Sequence, residues 1–517
     1  MRKPVVENST ANKSEQIVNI ILSISIVNLL LYIFTLYFTS YGFFRDEFYY
    51  LACANRLAFG YVDQPPLSIW IMAGWKFLFG DSLFVIRLLP AFMSSVSIFI
   101  LGLFTFRLGG GKSAVIISMI TFMLTPIFLG MNTTYSMDVY DFFFWILSAY
   151  IFLQIAESSN SKLWIALGII IGIGLLNKIS IIWLGAGIFV GTLFTPLRED
   201  LKTKYPYVAA GIALLIFSPY IIWNLTHDFA HLEFMRNATT GKYNSLTPVS
   251  LILDMLLIVN PLAILIWVPG IIFYFFNKNT RIFRPLGYIW ITTFIILFIN
   301  WHSKATYLAP AFQILFAGGA VQIVRWNMQK RKLKYALVVP VVVLNFILSP
   351  YARPLIPVQS FLDYQSALFF KVPNNEGHKS ELPQHYADMF GWEDLAKDVS
   401  KVYQSLSDEE KRRTVVYCSN YGESGAIEYF RKKYQLPKVI CPHNSYWYWW
   451  PENLNATTVI ILGGTAEQHL DALEECNLAG VHKTKYAMPY ENNLNIFIGR
   501  GLKVSLEKIK KELKNFS

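Results

Sequence analysis

Two adjacent carboxylates stand beside an arginine in Phe43-Phe44-Arg45-Asp46-Glu47-Phe48-Tyr49-Tyr50. Partial desolvation among aromatic rings raises a carboxylate pKa, and a neighbouring guanidinium lowers it. A general base needs that balance. An ordinary charged loop beside an aromatic belt has the same composition. A second acidic pair, Asp138 and Asp141, is spaced three residues apart in Ser136-Met137-Asp138-Val139-Tyr140-Asp141 and therefore shares one helical face. A solvated helix N-terminus would also favour such acids, but Asp141 sits a turn deeper. Lys178 and Lys304 are isolated cations, the latter in Trp301-His302-Ser303-Lys304-Ala305-Thr306-Tyr307. Such a cation suits a lipid phosphate; snorkelling from a helix end is the competing explanation.

The elements that must position these residues are membrane spans. Hydrophobic residues make up 54% of the 517 positions, aromatic residues 16% and charged residues 15%. A soluble domain carries about 25% charge, so lipid must solvate much of this chain. Apolar runs dominate as far as Pro350. The expected organisation is a transmembrane domain over 1–350, including a first outer loop at 39–82, and a soluble domain over 351–517. About eleven helical spans fit a ~20-residue criterion: 17–38, 83–106, 113–130, 136–156, 163–177, 179–195, 206–223, 248–276, 285–301, 306–324 and 335–350.

The net charge of +11 does not indicate nucleic acid, because the basic residues occupy short loops between apolar runs. With Arg2, Lys3 and Lys13 inside, the inner loops carry Arg107 with Lys112, Lys162, Arg198 with Lys202 and Lys204, Lys278 with Arg281 and Arg284, and the cluster from Arg325 to Lys334. That is a positive-inside pattern. It implies a multi-pass protein of a bacterial inner (plasma) membrane, with a cytoplasmic N-terminus and residues after Pro350 outside. The first run is long enough to remain as an anchor rather than a cleaved signal. Lys178 and Lys304 fall on the outer side, against this trend.

Within the first outer loop, Gly60-Tyr61-Val62-Asp63-Gln64-Pro65-Pro66-Leu67 fixes an extended turn. The apolar stretch 68–79 that follows is too short to span and fits an interfacial helix. Gly109-Gly110-Gly111-Lys112-Ser113 is not a phosphate-binding loop, since Phe106 replaces the required upstream glycine and no strand precedes it. The tail alternates strands (414–418, 438–441, 459–462) with a helix (426–434), an α/β pattern with parallel strands. His443 follows a strand end, where open sheets bind ligands, though a satisfied structural histidine is the stronger reading. The four cysteines have no metal-ligand spacing. Cys418 and Cys441 each end a strand; if those strands are neighbours a disulfide is open, with Cys476 a rival partner and two inert thiols the other reading.

The ordered set of motifs resembles a known group. Phe44-Arg45-Asp46-Glu47-Phe48-Tyr49-Tyr50 and Gln64-Pro65-Pro66-Leu67 resemble the first-loop signature of bacterial membrane glycosyltransferases related to protein O-mannosyltransferases, lipid A aminoarabinose transferase and rhizobial lipopolysaccharide galacturonosyltransferases, a family 39-like group. The segment 136–141, Lys304-Ala305-Thr306-Tyr307-Leu308-Ala309-Pro310, Asn420-Tyr421-Gly422-Glu423-Ser424-Gly425-Ala426 and His443-Asn444-Ser445-Tyr446 are similar to later signatures, so the resemblance covers most of the chain.

The resemblance implies a GT-C fold, a polytopic α-helical membrane protein with a C-terminal soluble α/β domain. It implies a polyprenyl-phosphate sugar donor, transfer outside the cytoplasm and no metal or other cofactor. Asp46 matches the family's general base, with Glu47 beside it. Arg45, Lys178, Lys304 and Tyr307 are then expected at the donor phosphate. Tyr49, Tyr50, Gln64, Asp138, Asp141 and His302 are expected along the substrates. Asp138 stands where close relatives carry asparagine, which leaves its role less defined than that of Asp141. The expected partners are the donor, an extracytoplasmic acceptor (lipid A, a glycan, a lipid or a protein) and the bilayer. The alternative reading is a transporter or flippase of lipid-linked sugars, which would place its ionisable residues near the bilayer midplane.

Overall fold

A computed structural model describes residues 5–158, 160–241, 246–327, 332–368, 380–451 and 455–517. Arg2, Lys3, Lys330 and Arg331, counted above among the inner-side charges, lie outside these residues. The chain divides into two compact units: Met1–Phe38, Arg87–Trp223 and Thr239–Leu355 form one, and Thr39–Ile86, Asn224–Ala238 and Ile356–Ser517 the other.

The first unit is helical. Among the described residues, seven helices of 20 to 25 residues are long and apolar enough to span a membrane, from Ser14–Phe38 to Leu333–Ala352, and two bent pairs raise the number to nine. The expectation of eleven is not met as drawn, for local reasons. The run 113–130 breaks at the extended residue Thr125, where Pro126 opens a new short helix. Lys112–Leu124 and Leu163–Leu175 have 13 residues each, about 20 Å of helix against a ~30 Å hydrocarbon core. The run 248–276 bends by 86° at Asn260, whose φ is +74° and whose side chain accepts from Leu262 N–H at 2.9 Å. The run 179–195 pairs with Pro196–Lys202 at 103°.

Small residues let these helices meet backbone to backbone. A Cβ on Gly319 would lie 1.9 Å from the Ile266 carbonyl oxygen, and one on Gly270 2.3 Å from that of Leu315. Ala309–Asn327 and Ile264–Ile271 are thereby packed at contact distance. Asn28 adds a polar link, donating to Ser94 and Ser95 at 3.3 and 3.0 Å.

The second unit is built around a five-stranded sheet in the order β2-β1-β3-β5-β4. β1 (Thr414–Tyr417) lies parallel to β2 (Lys438–Ile440) and to β3 (Thr458–Leu462). β5 (Leu494–Leu502) runs antiparallel to β3 and to β4 (Leu473–His482). The parallel expectation therefore holds for the three strands it named, and the antiparallel β4 and β5 extend the sheet beyond it. β4 is an exposed edge strand carrying Glu474, Glu475 and Asn477, so it lacks the apolar run that marks a buried strand. Val415, Ile440, Val459, Ile461 and Phe497 fill the core under Trp450. Cys418 and Cys441 are both free and buried. Side chains stand normal to a sheet, which points neighbouring parallel positions side by side rather than at each other.

The first outer loop belongs to this second unit. The cause is close packing of the helix Arg45–Ala54 against Tyr421–Tyr434. A Cβ on Gly422 would lie 2.4 Å from Arg45 Cγ, and one on Gly425 2.7 Å from Phe48 Cβ. Arg56 fastens the far end through a 2.8 Å ion pair with Glu428. The helix Leu67–Phe79 ends in exposed Phe77, Leu78 and Phe79, a composition suited to a lipid interface.

Gly425→Val tests this packing. Overfilling a close contact costs about 1–3 kcal/mol, so thermal unfolding of the purified protein in detergent should begin several degrees lower. An unchanged transition would contradict the contact between the two helices.

Candidate functional site

The helix Arg45–Ala54 begins without the usual side-chain cap, because its N-cap residue is Phe44. Glu47 compensates: its Oε2 accepts from the Phe44 N–H at 2.8 Å, and the residue is fully buried. A carboxylate in a first turn satisfies an orphan N–H and favours the helix dipole. Glu47, expected beside the catalytic aspartate, is thus committed to starting its own helix.

Asp46 is different. Its side chain is 40% exposed. The Tyr421 hydroxyl donates to its Oδ1 at 2.8 Å, and Arg45 Nε lies 3.7 Å from the same oxygen. Arg45 is in turn held between carboxylates: Asp388 Oδ2 is 4.0 Å from Nε, and the Arg45 N–H donates to the Asp388 carbonyl at 3.1 Å. Its guanidinium stands 5.3 Å from the Tyr421 ring centre. Burial opposes the Arg45 charge, but Tyr421, Asp388 and Asp46 keep it protonated.

Tyr49 is buried, and its hydroxyl donates to Asp63 Oδ1 at 2.8 Å; the Ser445 hydroxyl lies 2.8 Å from the same phenol oxygen. Ser445 Oγ also accepts from the Val62 N–H at 3.1 Å. Desolvation pushes the Asp63 carboxyl up to about 7, against the pull of the Tyr49 hydrogen bond. Gln64 is fully buried, and both polar atoms of its side chain lack a hydrogen-bond partner among the described residues. Tyr50 is buried on the same helix.

A further acidic group lies behind Tyr421. Asn420 caps the Tyr421–Tyr434 helix, its Oδ1 accepting from Gly422 and Glu423 N–H at 2.8 and 3.0 Å. Its Nδ2 donates to Glu491 Oε1 at 3.1 Å. Ser419 N–H donates to Glu423 Oε2 at 2.9 Å. Burial pushes Glu423 up to about 7 and raises Glu491 as well. His443 donates from Nε2 to the Ser517 carbonyl at 3.0 Å and lays its ring 4.8 Å from that of Tyr421.

The first unit gathers a separate set. Ser136 caps the helix Met137–Glu157 by accepting from the Asp138 N–H at 3.2 Å. Lys178 is 7% exposed and is paired with Asp138 directly and with Asp141 Oδ2 at 3.5 Å. Ser180 donates to Asp141 Oδ2 at 3.2 Å. Lys178 Nζ also lies 5.2 Å from the Tyr307 ring centre. Two carboxylates thus surround the lysine that was expected to meet a phosphate. Lys304 is exposed and precedes the short turn Ala305–Leu308; its carbonyl accepts from Tyr307 N–H at 3.1 Å. His302 is half-buried against Trp301, with ring centres 5.6 Å apart.

The structure therefore joins Asp138, Asp141, Lys178 and Tyr307 in one unit, and Arg45, Asp46, Glu47, Tyr49 and Gln64 in the other. Sequence reasoning did not assign Tyr421, Asp63, Asp388, Ser445 or Glu491 to a site. Tyr421 and Ser445 lie within tail motifs whose resemblance was noted, and Gly422 and Gly425 were the signal that a second helix comes close.

Residues 63–223 match the family model described as dolichyl-phosphate-mannose-protein mannosyltransferase. Among solved structures, the chain is similar to ArnT from Cupriavidus metallidurans bound to undecaprenyl phosphate, with a TM-score of 0.57, 13% identity, and coverage of 93% of this chain and 98% of that one. The apo state of the same protein gives a TM-score of 0.55, 13% identity and the same coverages of 93% and 98%. A more distant likeness is to the oligosaccharyltransferase of Archaeoglobus fulgidus tethered with an acceptor peptide, at a TM-score of 0.47 and 12% identity over 85% of this chain and 68% of that chain. No curated protein matches the sequence. At these identities the likeness to ArnT establishes the fold.

The raised Glu423 gives a pH dependence with a definite sign. Its ordinary value is 4.5 and its folded value about 7, so the folded state holds the proton more tightly. That stabilisation is complete below pH 4.5 and is lost as pH rises through about 7. The melting temperature should fall between pH 5 and pH 8, and Glu423→Gln should flatten the fall. An equal slope in the variant would remove Glu423 as its source.

Proposed function

We propose that the chain is a membrane glycosyltransferase of the GT-C group, a reading supported by the family-model match and the fold shared with ArnT, and that it transfers a sugar from a polyprenyl-phosphate donor to an acceptor outside the cytoplasm, with Asp46 as general base. The observation that carries the assignment is the contrast between adjacent carboxylates: Glu47 is buried and caps a helix, whereas Asp46 is 40% exposed and held by Arg45 and Tyr421. The undecaprenyl phosphate bound in the similar ArnT structure supports a polyprenyl carrier. The positive-inside pattern supports the outer face of a bacterial inner membrane as the place of transfer.

The chemistry needs little from the protein beyond orientation and charge. A glycosyl phosphate already has a good leaving group. Asp46 takes the proton from the acceptor's hydroxyl or amine as that atom attacks the anomeric carbon. The bond from that carbon to the phosphate oxygen breaks, and its electron pair leaves on the phosphate. A single displacement inverts the carbon. Cations stabilise the departing charge, where fixed electrostatics act most strongly. Lys304 is exposed and suits the phosphate. Lys178 would exchange an aspartate for it, with Tyr307 alongside. Arg45, already shared between Asp46 and Asp388, positions the base. Tyr49, Tyr50, Gln64, Asp138, Asp141 and His302 are assigned to substrate contacts. The acceptor class spans lipid A, another glycan, a lipid or a protein.

Asp46→Asn should keep its melting temperature and lose about 10²–10⁴-fold in turnover, the range for a general base. Turnover is followed as undecaprenyl phosphate released from undecaprenyl-phosphate-linked sugars. A variant turning over near the parental rate would exclude the role. Lys304→Met should weaken undecaprenyl-phosphate binding about tenfold or more, since a charge-assisted contact contributes about 1.5–3 kcal/mol. Parental affinity in that variant would take Lys304 away from the phosphate.

A further inference from the structure

We infer that Tyr421, from the soluble tail, is a positioning residue for Asp46, so that the tail is part of the catalytic apparatus. The inference rests on the Asp46 reading above and deepens it.

The hydroxyl of Tyr421 donates to Asp46 Oδ1 at 2.8 Å. A half-exposed aspartate on a first helical turn otherwise samples several rotamers. One fixed donor on Oδ1 orients the carboxylate and leaves Oδ2 to receive a proton. The donor itself has little freedom. Its backbone opens a 14-residue helix pinned by the Asn420 cap. Its ring lies 5.0 Å from the Tyr49 ring and 4.8 Å from the His443 ring, with the Arg45 guanidinium 5.3 Å away. The next residue must be glycine for this approach, because a Cβ there would meet Arg45 Cγ at 2.4 Å. The motif residues Tyr421 and Gly422 therefore have one geometric consequence, a phenol delivered to the carboxylate of the first loop.

Arg45 Nε lies 3.7 Å from the same Asp46 oxygen that the Tyr421 hydroxyl holds. The other charged or titratable groups around this pair are Asp63 with Tyr49 on the first loop, and His443 on the tail. Behind Arg45 stand Asp388, Tyr490 and Glu491. Tyr421→Phe removes one hydroxyl from this set and leaves the ring stacking in place.

The test is steady-state kinetics of the full-length protein, with undecaprenyl-phosphate-linked sugar as donor and envelope lipid extract as acceptor. Tyr421→Phe should lower kcat about tenfold and leave KM for the donor unchanged, as loss of a charge-assisted hydrogen bond to the base requires. Fluorinated tyrosine at position 421 keeps ring and hydroxyl and should keep kcat near the parental value. In the Asp46→Asn background, Tyr421→Phe should cost nothing further, since paired residues are not additive. A rise in donor KM matching the fall in kcat would mean a structural role and overturn the inference, as would an additive loss in the double variant. If Asp46→Asn loses turnover while Tyr421→Phe keeps the parental kcat, the positioning role alone fails. If Asp46→Asn is itself fully active, the Asp46 reading falls and this inference with it.

Discussion

The approach of the Tyr421–Tyr434 helix to the Arg45–Ala54 helix ties the first loop to the tail within the second unit. Gly422 and Gly425 allow it, with side chains of Arg45 and Phe48 occupying the space where Cβ atoms would be. The first-loop helix is ten residues long, too short to be stable alone in water. Packed against the tail, it presents Asp46 to Tyr421 and buries Phe48 and Tyr49. A general base at Asp46, as proposed, would need this kind of rigid support, since a small displacement of a reacting group is costly in rate.

The charges of each unit follow from burial. In the second unit, the partly buried Arg45 faces Asp46 and Asp388, with Glu491 near by. Burial itself makes Glu423 and Glu491 hold their protons more tightly, and Glu423 adds to the effect on Glu491. The first unit repeats the arrangement with Lys178 between Asp138 and Asp141. A buried cation with two acids forms a cluster that removal of one member disrupts strongly. These clusters keep polar groups at defined places in surroundings that would otherwise exclude them.

The sequence made some of this legible and hid the rest for identifiable reasons. Long apolar runs announce spans, but Thr125-Pro126 and Asn260 break two of them, and the φ of Asn260 is set by tertiary context. The parallel strands β1 to β3 were visible as buried apolar runs, whereas β4 is an edge whose polar residues look like loop. Asp46 drew attention through residue types and resemblance. Its neighbour Glu47 was misleading, because a capping role is normally announced by Ser, Thr, Asp or Asn at the N-cap, and here that position is Phe44. Tyr421 lies 375 residues from Asp46, a pairing that no local pattern encodes. Lys178 stood out as a cation on the wrong side, and its partners stood out as acids on one helical face. Only the fold, which spans 40 residues between them, joins the two observations.

A transferase and a transporter of lipid-linked sugars share an apolar groove and outer-face charges, and differ in whether a glycosidic bond is broken. The deciding measurement uses purified protein in detergent micelles, where no second compartment exists. It follows the bond between sugar and undecaprenyl phosphate by mass spectrometry in the presence of envelope lipid acceptors. A glycosyltransferase releases undecaprenyl phosphate and yields a glycosylated acceptor with inverted anomeric configuration. An intact donor in micelles, together with movement of the same donor across the bilayer of proteoliposomes, would contradict the account.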